Sequence, residues 1–177
     1  MKLTIATCLM AFVITGMSYA QSSATLVKDI WPGATGSELR DFYSFNDHIV
    51  FIARDTLMGD EWWITDGTET GTYLMEDLYP VLGSSHWISS SRIHNITFYQ
   101  NGLYFISYDS LSQTTIHYID TLDFSINAPL QGTQFSNGLS DLVKIGDSLY
   151  LKCLDGGGGY EFPYRSWNGT TSSPTPI

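Results

Sequence analysis

One strand pattern is written three times along this chain, and that repetition limits the folds open to it more than any other feature. Ile49-Val50-Phe51-Ile52-Ala53-Arg54-Asp55, Leu103-Tyr104-Phe105-Ile106-Ser107-Tyr108-Asp109 and Leu149-Tyr150-Leu151-Lys152-Cys153-Leu154-Asp155 are each a β-rich run ending in aspartate. Each follows a turn pair, expected at Asn46-Asp47, Asn101-Gly102 and Gly146-Asp147, so the same hairpin recurs. A second marker, Asp29-Ile30-Trp31-Pro32, returns as Asp77-Leu78-Tyr79-Pro80, and both copies lead to a Gly-Ser pair, at Gly36-Ser37 and Gly83-Ser84. Their separation of roughly 48 residues is the length of a four-stranded blade unit.

Between these markers lies Glu61-Trp62-Trp63-Ile64-Thr65-Asp66-Gly67-Thr68-Glu69-Thr70-Gly71-Thr72. Trp63 and Ile64 suit a half-buried strand. Asp66-Gly67 supplies a residue tolerant of the left-handed region and a glycine that enters it freely. The hydroxyls of Thr68 and Thr72 can bond local backbone groups, and Gly71 permits a second bend. Asp66 is therefore read as a turn residue before it is read as a catalyst. This segment resembles the ELWxxDGT repeat, and Leu26-Val27-Lys28-Asp29-Ile30-Trp31-Pro32-Gly33-Ala34-Thr35-Gly36-Ser37 resembles the other half of the same unit, LVKDI-x-PG-xx-GS. The resemblance implies a bacterial secreted or envelope-anchored protein with propeller-like blades, in a family with no defined common ligand.

The copies decay along the chain. Ile116-His117-Tyr118-Ile119-Asp120-Thr121-Leu122-Asp123 occupies the motif strand in the second copy without an Asp-Gly-Thr, and the third keeps Glu161-Phe162 and Asn168-Gly169-Thr170. Blades need alternating strands and turns more than particular side chains, so worn copies still fold.

Residues 1–20 read as a signal peptide: Lys2 is the charged start, Leu3 to Met17 an apolar stretch, and Ser18-Tyr19-Ala20 a small-residue cleavage site. Cleavage is expected after Ala20. About 15 apolar residues fall short of the roughly 20 that span a bilayer, so no transmembrane segment is expected after cleavage. Cys8 leaves with the leader. Cys153 then remains alone on a strand, which rules out an intrachain disulfide and favours a buried thiol.

The net charge is −10, with 18 Asp and Glu against 8 Lys and Arg, which argues against a nucleic-acid partner. The carboxylates are scattered. Calcium is the one ion they leave open, but no Asp-x-Asp-x-Asp-Gly loop is present, and the expectation is no cofactor. His48, His86, His94 and His117 are isolated, no Gly-x-Ser-x-Gly elbow exists, and the four glycines 156–159 lead into no Lys-Ser or Lys-Thr. Neighbouring carboxylates such as Asp60 and Glu61 point to opposite faces of a strand and are badly placed to share one glycosidic bond.

Aromatic residues are abundant, at 5 Trp, 11 Tyr and 9 Phe. Phe51, Trp63, Phe105 and Tyr150 lie in strand patterns and are assigned to the core. Trp31, Trp62, Tyr79 and Trp87 adjoin turns and are expected at the surface. Trp31, Trp62, Asp66 and Trp87 form the candidate ligand contact.

The expected architecture is all-β: a propeller-like array of about three four-stranded blades after the signal peptide. The blades are placed at about 31–78, 79–128 and 129–170 within a domain of residues 21–177. Strand 24–30 is expected to complete the last blade, the 172–176 tail being too proline-rich for that role. Three blades are fewer than the four to eight of usual propellers. Self-association, continuation in a longer array, or an irregular β-fold each answer that shortfall, and a partial array is favoured. The expected function is a secreted or envelope-associated, non-catalytic module that binds or presents a protein or carbohydrate. A glycan-active hydrolase or lyase is the alternative, and it requires a carboxylate pair at glycosidase distance.

Overall fold

The computed structural model describes residues 24–80, 92–108, 114–130, 138–153, 164–167 and 175–176. They form three four-stranded antiparallel sheets, each a meander in chain order. The first contains β1 (Arg40–Phe45), β2 (His48–Arg54), β3 (Asp60–Thr65) and β4 (Tyr73–Leu74). The second contains β5 (His94–Tyr99), β6 (Gly102–Tyr108), β7 (Thr114–Asp120) and β8 (Ile126–Leu130). The third contains β9 (Leu139–Ile145), β10 (Ser148–Cys153), β11 (Tyr164–Trp167) and β12 (Thr175–Pro176). No helix occurs among the described residues.

Successive side chains on a strand point to opposite faces, so register decides what each face carries. In the first sheet Val50 pairs with Ile64 and Ile52 with Trp62, which places these four on one face, here called the front. Phe51 pairs with Trp63 and Ala53 with Glu61 on the back. The front of the first sheet packs on the back of the second, where Val50, Ile52, Trp62 and Ile64 meet Leu103, Phe105 and Ile119. Trp62 and Phe105 touch edge-on, with ring centroids 5.4 Å apart. The front of the second sheet, carrying Tyr104, Ile106 and Ile116, packs in turn on Leu142, Leu149, Leu151 and Trp167 of the third. Leu103 and Phe105 thus face one neighbour while Tyr104 and Ile106 face the other. A near-continuous apolar run such as β6 is what burial on both faces demands.

The repeat is also visible in the backbone. Glu38, Asp41 and Asn46 have φ of 47°, 54° and 51°, and at one constant offset Arg92, Asn95 and Gln100 have 47°, 53° and 50°. The ladders shift register at the same place, between Arg40 and Tyr43 in the first sheet and between His94 and Thr97 in the second. In the third copy, glycines occupy two of the three corresponding positions, Gly138 and Gly146, with φ of 102° and 58°. Left-handed backbone at non-glycine residues costs energy and persists where its surroundings impose it. Its recurrence means that the two-residue hairpin turn and the bulge belong to the unit. The middle turn is Gln100-Asn101, since Tyr99 pairs with Gly102; this moves the expected Asn101-Gly102 turn back by one residue.

The third sheet departs from expectation at its edge. Its fourth strand is β12, pairing Ser166 with Thr175 and Arg165 with Pro176, rather than residues 24–30. Proline is tolerated there because an edge strand leaves one side of its backbone unpaired. Residues 24–39 contain no strand. They run beside the first sheet instead, with Ile30 packed against Phe51, Ala53 and Trp63 and the Ser37 carbonyl accepting from the Arg54 N–H at 2.7 Å. Among the described residues the three sheets do not close into a ring.

Phe105→Ala empties the first inter-sheet contact and is expected to cost about 3–5 kcal/mol in chemical denaturation. Leu122→Ser, at a turn position 74% exposed, should stay within about 0.5 kcal/mol.

Candidate functional site

The loop from β3 to β4 carries the sequence motif, and the side chains of Thr65, Asp66, Thr68 and Thr72 hydrogen-bond within it. Asp66 Oδ1 accepts from the Thr68 N–H at 2.8 Å and from the Thr68 hydroxyl at 2.7 Å. Thr68 Oγ1 accepts in turn from the Gly71 N–H at 2.9 Å. The Thr72 hydroxyl donates to the Thr68 carbonyl at 2.6 Å. Having one hydrogen, it can only accept from the Thr65 hydroxyl, also 2.6 Å away, while Thr65 Oγ1 accepts from the Gly67 N–H at 3.0 Å. Gly67 has φ of 89°, where a side chain is strained. At Gly71 the reason for glycine is space, because a Cβ there would collide with the Asp66 carboxylate. The hydrogen bonds from Thr68 hold the Asp66 carboxyl below the usual carboxylate range.

The two halves of the motif meet on this loop. Lys28 Nζ donates to the Thr72 carbonyl at 2.7 Å and to the Glu69 carbonyl at 3.4 Å. Glu61, fully buried, accepts from the Leu78 N–H at 3.3 Å and so ties β3 to the segment leaving the sheet. Asp77 Oδ1 accepts from the Tyr79 N–H at 3.1 Å. At the opposite end of β3, Asp60 takes a two-point contact from Arg54, Nε to Oδ1 at 2.6 Å and Nη2 to Oδ2 at 3.0 Å. Arg54 also reaches Glu38 at 3.0 Å. Asp60 and Glu61 therefore serve different partners on different faces.

The candidate contact residues separate. Trp62 is fully buried between the first and second sheets, which corrects its expected exposure: β3 is covered on both faces, so nearness to a glycine turn says nothing about its accessibility. Trp31 and Tyr79 are half-buried and Asp66 is exposed. Trp87 lies outside the described residues. Phe51, Trp63 and Phe105 are buried. Tyr150 is only half-buried, because it stands on the front of the third sheet, which no other sheet covers among the described residues. Among the described residues no three His, Cys, Asp or Glu side chains converge as a metal-binding group.

Two features escaped the sequence. Asp123-Phe124-Ser125 rebuilds the motif lock without the motif: Asp123 Oδ1 accepts from the Ser125 N–H at 2.9 Å and its hydroxyl at 2.7 Å. Phe124, at φ of 60°, has a positive φ as Gly67 does, and the Asp123 carboxyl is again lowered by Ser125. The Asp-x-Ser spacing was the available signal. The second feature is His117, which pairs with Phe105 as Trp63 pairs with Phe51. Its Nδ1 is buried without a hydrogen-bond partner, and burial pushes its pKa down to about 4.

In comparisons with family models, curated proteins and solved structures, nothing matches the chain.

Replacing Thr68 with Val should return the Asp66 carboxyl toward the ordinary range, read by side-chain NMR titration. The Asp66 contribution to stability is present above that range and disappears as pH falls through the depressed value, so the variant should lose it at neutral pH. His117 behaves alike in sign and differs in window. The unfolded chain takes up its proton near pH 6.5 and the folded chain only near 4. Stability should thus be full above pH 6.5 and fall by up to about 3 kcal/mol on the way to pH 4. Denaturation midpoints of His117→Phe should be flatter over that interval.

Proposed function

We propose that the chain is a non-catalytic repeat module of the ELWxxDGT kind, secreted or held at the cell envelope, whose three sheets are propeller-like blades. It binds or presents a protein or carbohydrate. The observation that carries this reading is the use of the motif side chains: Asp66, Thr68 and Thr72 close a loop, and Glu61 anchors a strand. Residues occupied in this way serve the fold of their own unit before they serve a ligand. The front-on-back stacking and the shared left-handed positions support the blade assignment. Function then belongs to what the units leave at the surface. Trp31 and the exposed loop tip at Asp66, Glu69 and Thr70 are the candidate contact, with Trp62 removed from it.

The test is retention without turnover. The secreted protein is incubated with peptidoglycan and with purified envelope polysaccharide, and both bound protein and release of reducing or unsaturated sugar ends are followed. Retention on one of these, reduced several-fold by Trp31→Ala with an unchanged far-UV spectrum, is the expected result. Sugar-end release that depends on the protein would sink the non-catalytic assignment.

A further inference from the structure

Corresponding positions do the same work in the three sheets, so a residue buried in two copies and bare in the other marks a contact left open. On the back of the sheets, Ile93 and Leu139 are 4% and 3% exposed, whereas their counterpart Leu39 is 52% exposed. Leu103 and Leu149 are both at 0%, against 40% for Ile49. Phe42, 58% exposed, corresponds to Leu142, which is buried in the second inter-sheet contact. The second and third sheets have these positions covered by the front of the preceding sheet, and among the described residues no sheet precedes the first. The front of the third shows the converse, since Ile145 is 61% exposed where its counterpart Tyr99 is at 3%. Leu26 is bare as well, although its counterpart by the Asp-Ile-Trp-Pro repeat, Leu74, lies in β4.

The back of the first sheet is covered at its centre, where Ile30 packs against Phe51, Ala53 and Trp63, and is open at Leu39, Phe42 and Ile49; this open part and the front of the third sheet are thus of the kind that mate inside the chain, front on back. The third sheet cannot serve the first within one molecule. The second sheet stands between them, and packed sheets lie about 10 Å apart, so roughly 20 Å separates the outer two. We infer that the back of the first sheet seats on the front of the third sheet of a second copy, head to tail. Two such contacts close a two-chain ring. The ring rests on the blade assignment proposed above and doubles the three sheets to a number inside the usual range of about four to eight. In it residues 24–30 lie beside the partner's third sheet, the place their repeat phase assigns them. A front-on-back contact is heterologous, so it must close or else polymerise. One substitution makes this contact weaker than the internal ones: Lys152 stands where Ile52 and Ile106 stand, and keeps Asp141 at 3.7 Å. The seat is therefore centred on Val143, Ile145 and Tyr150, and pairing is concentration-dependent.

Sedimentation and light scattering of the full secreted chain over about 1–100 μM should give twice the chain mass at the upper end. Phe42→Asp on the back and Ile145→Asp on the front should each halve that mass with the far-UV spectrum unchanged. An equimolar mixture of the two variants should recover a dimer, because it holds one intact front and one intact back. A chain monomeric throughout, a dimer surviving both substitutions, a mixture that stays monomeric, or open polymers would each overturn the inference. Hydrogen exchange on the same samples separates this from failure of the blade assignment. In the monomer, at the dilute end of the series or in Phe42→Asp, protection of β6 well above β1 keeps that assignment standing, and equal protection removes it.

Discussion

Burial of each sheet by its neighbour is the constraint from which the rest of the structure follows. A single meander of four short strands has two faces and cannot cover either by itself. Here β2, β3 and β6 carry large apolar side chains on both faces, and each side chain of this size contributes on the order of 1.5–3 kcal/mol when taken from water. Val50, Ile52, Trp62 and Ile64 obtain that burial only because Leu103, Phe105 and Ile119 stand opposite. Tyr104 and Ile106 obtain it from the third sheet. Stability is thereby nearest-neighbour in character, as in other repeat architectures.

Polar contacts then fix where one sheet sits on the next. The Asn95 amide donates to the Ser140 carbonyl at 2.6 Å, the Tyr99 hydroxyl to the Asp147 carbonyl at 2.9 Å, and the Leu139 N–H to Thr114 Oγ1 at 2.7 Å, all between the second and third sheets. Asn95 is itself a left-handed residue at the register shift, so the bulge that disturbs the ladder also aims a side chain at the neighbouring sheet. Lys28 and Glu61 act comparably at the first sheet, fastening the chain before and after it to β3 and its loop. The motif is best understood as stitching.

Much of this was legible in the residues. Three apolar strand runs, each behind a two-residue turn, mark three hairpins, and the Asp66-Gly67-Thr68 turn with its glycine at Gly71 was readable from turn chemistry alone. The failures share a cause. Trp62 adjoins a glycine turn in sequence, whereas its burial depends on a sheet contributed about forty residues further on, at Leu103 and Phe105. The 172–176 tail was discounted for its prolines, a rule that holds for central strands and relaxes at an edge. Asp123-Phe124-Ser125 went unseen because a phenylalanine stands where the motif has glycine, and the surroundings hold it at positive φ all the same.

The sequence by itself determined the all-β character and the three recurring hairpins, with the middle turn placed to within one residue, because period-2 alternation and left-handed turn residues are local properties of the chain. Which face of each sheet is covered, and by what, was decided only in three dimensions. Leu39, Ile93 and Leu139 are interchangeable as residues and differ only in whether a sheet precedes them in space. Burial is a relation between distant segments, and no local pattern contains it.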